Sequence, residues 1–389
     1  MTEAPRPRVL VVGPLPPPLG GVQLMNRMLV RSSLSRDFEL HTVDTSKRVL
    51  RWAVERQSWR TPLYFLRDVS NLIGALGRLR PRLVYLHAAS GFSFIRDWAL
   101  MTVAKLSGAR VVCHYHGTLH TVFPSVRTPI GRALGRWMMG AADRVIVLGP
   151  TYQSEMGRAW RRGDLTWSPN LVDVDLFERA RPGAALPGIE SGDLAVLFVG
   201  RLSEPKGILE LFSAAPRVIE RVPRARLVLL GVAEDEARES WVREEARRAG
   251  IESRVTFLGS LEDEAKAGVY AASAIYVSPS RTEAFPLTIP EAMAAGLPMV
   301  VTAVGAIPDH VKDGEDGFLI PPRDPLVLAD RIVRLLEDEP LRQRISAHLR
   351  ERARREYAIE VGAARVRDVW RDALGVQPGA GSGRSRSTD

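Results

Sequence analysis

The 389-residue sequence has a single cysteine, Cys113, so it cannot build a disulfide framework, and one thiol fits a reducing cytoplasm. It has no run of about 18 apolar residues, the length a membrane-spanning helix needs. The opening MTEAPRPRVLVVGPLPPP lacks the apolar stretch and small-residue cleavage site of a secretory leader. Zinc-finger spacing, RNA-recognition signatures and helix-turn-helix patterns are missing, so nucleic acid is not an expected partner despite a net charge of +9. The GxGxxG dinucleotide fingerprint is missing as well.

What remains is an ordinary globular balance of 45% hydrophobic and 25% charged residues, on a chain long enough for two domains. The charge is unevenly placed. Residues 1–190 hold 26 Lys+Arg against 14 Asp+Glu, and the rest hold 28 against 31. The excess positive charge of the first half suits an anionic membrane surface or an anionic substrate.

Short β-branched runs alternate with stretches of helical period, the pattern of parallel sheets. Strands are predicted at Arg8–Gly13, Glu39–Asp44, Leu83–His87, Arg110–His116 and Arg144–Leu148, with helices over Gly91–Leu106 and Thr128–Ala141. The stretch Arg179–Gly192 is rich in Pro, Gly and Ala and reads as a linker. Strands resume at Ala195–Val199, Arg226–Leu230, Val255–Leu258, Ile275–Ser278 and Met299–Thr302, and helices fill Pro325–Leu374. Residues 376–389, rich in Gly and Ser, read as a disordered tail.

Ligands of open parallel sheets bind beyond the carboxyl ends of the strands, which directs attention to the loops there. After the first strand comes Gly13–Gly21, GPLPPPLGG; its glycines either admit a ligand to the backbone or simply turn the chain. His114 and His116 end a strand on one face, with His120 beyond. No carboxylate or cysteine stands nearby in sequence to complete a metal shell, and no metal is expected there. Val199–Gly207 places Arg201 and Lys206 on a turn with glycines at both ends, either a solvated basic turn or a clamp for a diphosphate. Glu283 and Glu291 bracket Phe285, Pro286, Leu287 and Thr288 at a helix start, where backbone amides favour oxygen ligands; Glu291 either binds hydroxyls or only complements the helix dipole. Asp173-Val-Asp175 has the form of a metal-binding pair, but its place before the linker makes it a boundary turn.

Together these residues resemble retaining glycosyltransferase family 4, the group 1 glycosyltransferases, of the GT-B fold. The likeness is carried by SRTEAFPLTIPEAMAAGLPMVVTAVGAIPD over Ser280–Asp309, with its Glu283/Glu291 pair, by Gly200-Arg201 through Lys206-Gly207, by Gly20-Gly21 and by His116-Gly117. It implies two Rossmann-like parallel-sheet domains facing across a cleft: an acceptor-side domain 1–178, a linker 179–192, a nucleotide-sugar domain 193–356 and a crossing helix 357–375. It also implies that Arg201 and Lys206 hold the donor diphosphate, Glu291 the ribose, and Glu283 with the Phe285–Leu287 backbone the transferred sugar. Gly20 and Gly21 would let backbone near the phosphates, His116 would lie at the reacting face, and Gly259 and Leu261 would flank the base. The chemistry implied retains the anomeric configuration without a metal or cofactor, the nucleotide-diphosphate sugar being a co-substrate. The sequence departs from the family pattern at Leu171, Pro286, Ala306 and Asp309.

The competing readings are a related GT-B enzyme, a nucleotide-sugar epimerase or phosphorylase, and a non-catalytic nucleotide- or glycan-binding protein. The expected acceptor is a saccharide or a lipid-linked molecule. Lys47–Arg82, with Trp52, Trp59, Tyr64 and Phe65 among arginines, and Arg132–Met139 are either solvated helix faces or a surface for an anionic bilayer. The expected location is the cytoplasm, at the inner face of the membrane if that surface is used.

Overall fold

The computed structural model describes residues 5–17, 20–46, 61–89, 91, 93–118, 127–180, 189–190 and 192–376. Most of the linker, the tail beyond residue 376, His120, Trp52 and Trp59 lie outside the described residues. The first unit runs β1 (Arg8–Gly13), α1 (Gly21–Arg31), α2 (Leu34–Asp37), β2 (Glu39–Asp44), α3 (Thr61–Leu79), β3 (Leu83–Ala88), α4 (Ser93–Leu106) and β4 (Arg110–Tyr115). It continues through α5 (Pro129–Met139), β5 (Arg144–Val147), α6 (Pro150–Trp160), β6 (Leu165–Trp167) and α7 (Val174–Arg179). The second unit runs β7 (Leu194–Val199), α8 (Ile208–Arg221), β8 (Ala225–Leu230), α9 (Glu236–Arg248), β9 (Val255–Gly259), α10 (Asp263–Ala271), β10 (Ile275–Ser278) and α11 (Thr288–Ala295). Then come β11 (Met299–Thr302), α12 (Ile307–His310), β12 (Gly317–Ile320), α13 (Pro325–Glu337), α14 (Glu339–Glu356) and α15 (Ile359–Leu374).

These strands form two six-stranded parallel sheets, ordered β2-β1-β3-β4-β5-β6 and β12-β11-β10-β7-β8-β9. Helices cover both faces, which is why strands such as Leu83–Ala88 are buried throughout and read as largely apolar runs. Strand order reverses between β1 and β3 in the first sheet and between β7 and β10 in the second. Each reversal opens a crevice beyond the strand ends, so the loops after β1, β3, β7 and β10 are the natural ligand positions.

Two strands escape the sequence pattern. β6 has three residues and β12 has four, and both are outermost in their sheets. An edge strand that short, starting in β12 at a glycine, carries too little apolar period to register.

The last helix returns to the first sheet. Ala363, Val366, Val369 and Trp370 of α15 share a core with Val9, Val11, Tyr85 and Val112, and the Trp370 ring meets Tyr85 edge-on at 5.1 Å. Arg144 pairs with Asp372, and Arg367 and Arg371 pair with Asp37. The crossing is tightest at Leu171, where a Cβ added to Gly362 would lie 2.0 Å from Leu171 Cδ2. The bulk at position 171 is thus matched by missing bulk at 362. Asp173 caps α7 by accepting a hydrogen bond from the Leu176 amide at 3.1 Å, and Asp175 lies in that helix's first turn, so the pair serves a helix start.

Candidate active site

The loop after β7 begins at Gly200 (φ 151°) and ends at Gly207 (φ 77°), both beyond the reach of most side-chain-bearing residues. A Cβ on Gly207 would stand 2.0 Å from the Pro279 carbonyl oxygen, so glycine there lets the β7 and β10 loops touch. Lys206 closes a short turn, Glu204–Lys206, and its ammonium lies 2.5 Å from Glu283 Oε1. The Ser280 hydroxyl donates to the same oxygen at 3.0 Å. Arg201 is exposed and stands 3.7 Å from Glu234. The Glu283 backbone is pressed from behind by Gly305 (φ 62°), whose Cβ would meet the Glu283 carbonyl oxygen at 2.1 Å.

Glu291 is buried, at 2% exposure, and both of its oxygens are engaged. Lys266 of α10 pairs with Oε1, and the Tyr270 hydroxyl donates to Oε2 at 2.8 Å. A ribose at this carboxylate would therefore have to share it with, or displace, Lys266. Neither Lys266 nor Tyr270 stands out in the sequence. They sit four apart on one helix face, but their partner lies a strand and a loop further on.

The opposite wall comes from the first unit. Gly20 precedes α1 in extended conformation, and Gly21 opens the helix. A Cβ on Gly21 would contact Leu287 Cδ1 at 3.6 Å. Leu287 precedes α11, so the amino ends of α1 and α11, from different units, meet at one place. Helix amino ends carry partial positive charge and unpaired amides, which together with Lys206 make this junction receptive to an anion.

Further contacts join the units beside it. The Asn170 side-chain amide donates to the Phe285 carbonyl, Thr151 donates to Asp309 through its amide and hydroxyl, and Arg27 pairs with Asp263 at 2.5 Å. The Phe285 ring lies tilted against His310 with centroids 4.1 Å apart, and His310 Nε2 is 2.7 Å from the Leu148 carbonyl oxygen. Asp309, a departure from the family pattern, is thus employed across the interface, and Pro286 accepts from the Ile289 amide at 3.2 Å as α11 begins. Gly259 (φ 66°) has open space where a Cβ would be, and Leu261 packs partly buried against the core.

At the ends of β3 and β4 lies a stack of histidines. Register pairs His87 with His114, and with His116 one pleat further on all three share a face. His116 is half-buried, and burial pushes its pKa down to about 4. His87 and His114 are held well below 6.5 for the same reason. The three rings offer nitrogens within 4.8 Å of one another. A metal reading meets a geometric obstacle: His87 Nδ1 and His116 Nε2 are hydrogen-bonded at 2.8 Å, closer than two ligands about 2.0–2.1 Å from one tetrahedral zinc can stand.

Comparison with known proteins agrees with this arrangement. Two family profiles match in succession: "Glycosyltransferase Family 4" over residues 19–176 and "Glycosyl transferases group 1" over residues 186–352. Among curated proteins, a phosphatidyl-myo-inositol mannosyltransferase of Mycobacterium leprae is 33% identical over a region covering 58% of this chain and 59% of that protein. A D-inositol 3-phosphate glycosyltransferase of Corynebacterium diphtheriae is 35% identical over 48% of this chain and 44% of that protein. The chain thus spans about three fifths or less of the length of the curated relatives it matches. Among solved structures, sucrose-phosphate synthase of Thermosynechococcus elongatus superposes with a TM-score of 0.76 at 20% identity, covering 95% of this chain and all of that one. Anabaena Alr3699/HepE in complex with UDP and glucose superposes with a TM-score of 0.70 at 17% identity, covering 94% and 100%. Two parallel Rossmann-like sheets facing across a cleft, matched in both halves by consecutive family profiles, place this chain among the group 1 glycosyltransferases of the GT-B fold.

Proposed function

We propose that the protein is a retaining glycosyltransferase that moves a sugar from a nucleotide-diphosphate sugar to a saccharide or lipid-linked acceptor, in glycan, glycolipid or cell-surface polysaccharide synthesis. The observation that carries this is that Lys206 pairs with Glu283, four residues before Leu287, where the amino ends of α1 and α11 meet. This arrangement offers positive potential for a diphosphate beside a carboxylate for sugar hydroxyls. The acceptor hydroxyl attacks the anomeric carbon on the face that the diphosphate leaves. The bond from that carbon to the diphosphate oxygen breaks, the electron pair departs with the phosphate, and the acceptor's proton passes to the departing oxygen. Lys206 and Arg201 stabilise the charge that grows there, which is where such groups act most. His116, held neutral by its partial burial, stands beside a developing sugar cation without repelling it.

Relatives named for phosphatidyl-myo-inositol and inositol 3-phosphate support an acceptor bearing phosphate or lipid, and a neighbour solved with UDP supports a nucleotide donor. The test is a panel of UDP- and GDP-hexoses with inositol and phosphatidylinositol acceptors, read by nucleoside-diphosphate release and by NMR of the product. A new glycoside with the donor's anomeric configuration, formed equally well in EDTA, is expected. An isomerised nucleotide sugar with no glycoside would indicate an epimerase, and loss in EDTA restored by Mg²⁺ would overturn the metal-free reading.

A second reading, peripheral membrane contact, is favoured by the outer face of the first unit. Leu63, Leu66 and Ile73 of α3 are each more than half exposed and lie within about 80° of one another around the helix. Ile130 and Trp137 of α5 are also exposed, and Arg67, Arg78, Arg132 and Arg136 lie on the same two helices. Apolar side chains among arginines suit an anionic bilayer surface.

A further inference from the structure

His87 lies near the end of β3 directly opposite His114, and its ring lies edge to edge with that of His116, with centroids 5.0 Å apart and planes 22° apart. His87 Nδ1 is hydrogen-bonded to His116 Nε2 at 2.8 Å. The His114 ring lies 4.2 Å from His116, and His114 Nδ1 is 2.6 Å from the Tyr85 hydroxyl. The His116 amide donates to the Ala88 carbonyl at 2.7 Å, which fixes the backbone from which the ring projects. His116 is therefore held by the His87 hydrogen bond, by the His114 ring and by its own backbone.

The direction of the hydrogen bond follows from what is left over. His87 is 4% exposed, and its Nε2 has no partner among the described residues. With its proton on Nε2, His87 would bury an N–H with nothing to accept it, and such orphans are rare because they lose a hydrogen bond to water without replacement. With the proton on Nδ1, that proton is used, and only a lone pair is left unmet. A neutral imidazole has one N–H and one acceptor, so receiving this bond at Nε2 leaves His116 protonated at Nδ1.

We propose that His87 is a positioning residue for His116: by donating from Nδ1 to His116 Nε2 it fixes one ring orientation and one tautomer, leaving the Nδ1–H of His116 to meet a donor-sugar oxygen. This rests on the reading of His116 as a residue at the reacting sugar. The role is one the histidine-glycine motif does not disclose, since His87 stands 29 residues before His116.

The test begins with nitrogen-15 NMR of histidine-labelled full-length chain, assigned with single His variants, which needs no substrate. His116 protonated at Nδ1 is expected in the wild type; protonation at Nε2 would overturn the proposal. His87→Asn puts a carboxamide nitrogen where Nδ1 stood, whereas His87→Gln reaches only the Nε2 position and His87→Leu offers neither. With the nucleotide sugar found in the donor panel, His87→Leu and His87→Gln should lose about ten- to a hundredfold in kcat with little change in KM for the donor, the size seen for partners that orient a reactive ligand. His87→Asn should restore most of the loss, and a purely structural role would not separate Asn from Gln. Unchanged turnover in folded His87→Leu, with His116→Ala inactive, overturns the positioning role and leaves the site reading standing. Unchanged turnover in His116→Ala removes both. One equivalent of zinc in the purified chain, lost on substituting any of the three histidines, would replace the proposal with a metal site.

Discussion

The ammonium of Lys206 lies 2.5 Å from Oε1 of Glu283, two residues that come from the loops after β7 and β10. These strands are neighbours in the sheet, and the loops touch through Gly207, so each charge holds the other at the crevice. A donor diphosphate entering here would meet a cation already oriented. Lys206→Ala should lower turnover about a hundredfold or more, the scale of losing one group that stabilises transition-state charge. Arg201→Lys should also be costly, because a point charge does not replace a bidentate fork. Steady-state kinetics beside nucleoside-diphosphate affinity would show it. Near wild-type rates in all folded variants would place the active site elsewhere.

Glu291 calls for a different expectation. Its carboxylate is matched by Lys266 and Tyr270, and the Lys266 side chain is 19% exposed. Glu291→Ala leaves a largely buried ammonium without its partner, which costs about 3 kcal/mol or more. Thermal melts should therefore fall along with nucleotide affinity. Removing both charges, Lys266→Met with Glu291→Gln, should recover much of the stability but not the affinity. Recovery of both would exclude Glu291 from ribose binding.

Gly362 and Leu171 make a paired prediction. Gly362→Ala places a methyl 2.0 Å from Leu171 Cδ2, and such overpacking costs about 1–3 kcal/mol. With Leu171→Ala the space opens. There Gly362→Ala should be neutral or stabilising by up to about 1 kcal/mol, because alanine favours the helix. A double-mutant cycle in urea reads the coupling, and additive effects would mean that this contact is not tight.

Stability should depend on acid in a defined window. Burial pushes His116 and His310 down to about 4 and holds His87 and His114 well below 6.5. In the unfolded chain imidazoles titrate near 6.5. Between those values the unfolded chain binds more protons, so the stability these groups confer is complete above about pH 6.5 and is lost as the pH falls toward 4. Urea midpoints should be level from about pH 8 to 7 and then fall steeply. A level midpoint down to about pH 5 would mean that these rings are not buried as described.

Binding to anionic vesicles should be seen by co-sedimentation at low salt and weaken as salt screens the arginines. Leu66→Glu with Trp137→Glu should abolish it without changing the melt, since both side chains are 61% exposed. No pelleting of folded wild type at low salt would exclude this surface.

Both sheets could be read from the sequence because buried parallel strands are apolar end to end, and a run such as Val9–Val12 has little else to be. The candidate site loops stood out because Gly200, Arg201, Lys206 and Gly207 fall along one stretch of backbone and Glu283 and Glu291 along another. Lys266 against Glu291 and His87 against His116 could not. Each pair is made by strand register or helix packing between segments with no local mark of one another. Leu171 looked only like a departure, since its complement is an absence of side chain at Gly362, in a helix from the far end of the second unit.

The return of α15 to the first sheet also sets an order of assembly. Multidomain chains generally fold from the amino end as they leave the ribosome. Here the face formed by Val9, Val11, Tyr85 and Val112 waits for Ala363, Val366 and Trp370, which are synthesised only after every described strand of both sheets. Until then the first unit carries an uncovered apolar flank. The first unit, made before the second, is therefore finished only after it, and a nascent chain stalled before α15 would be a client for chaperones.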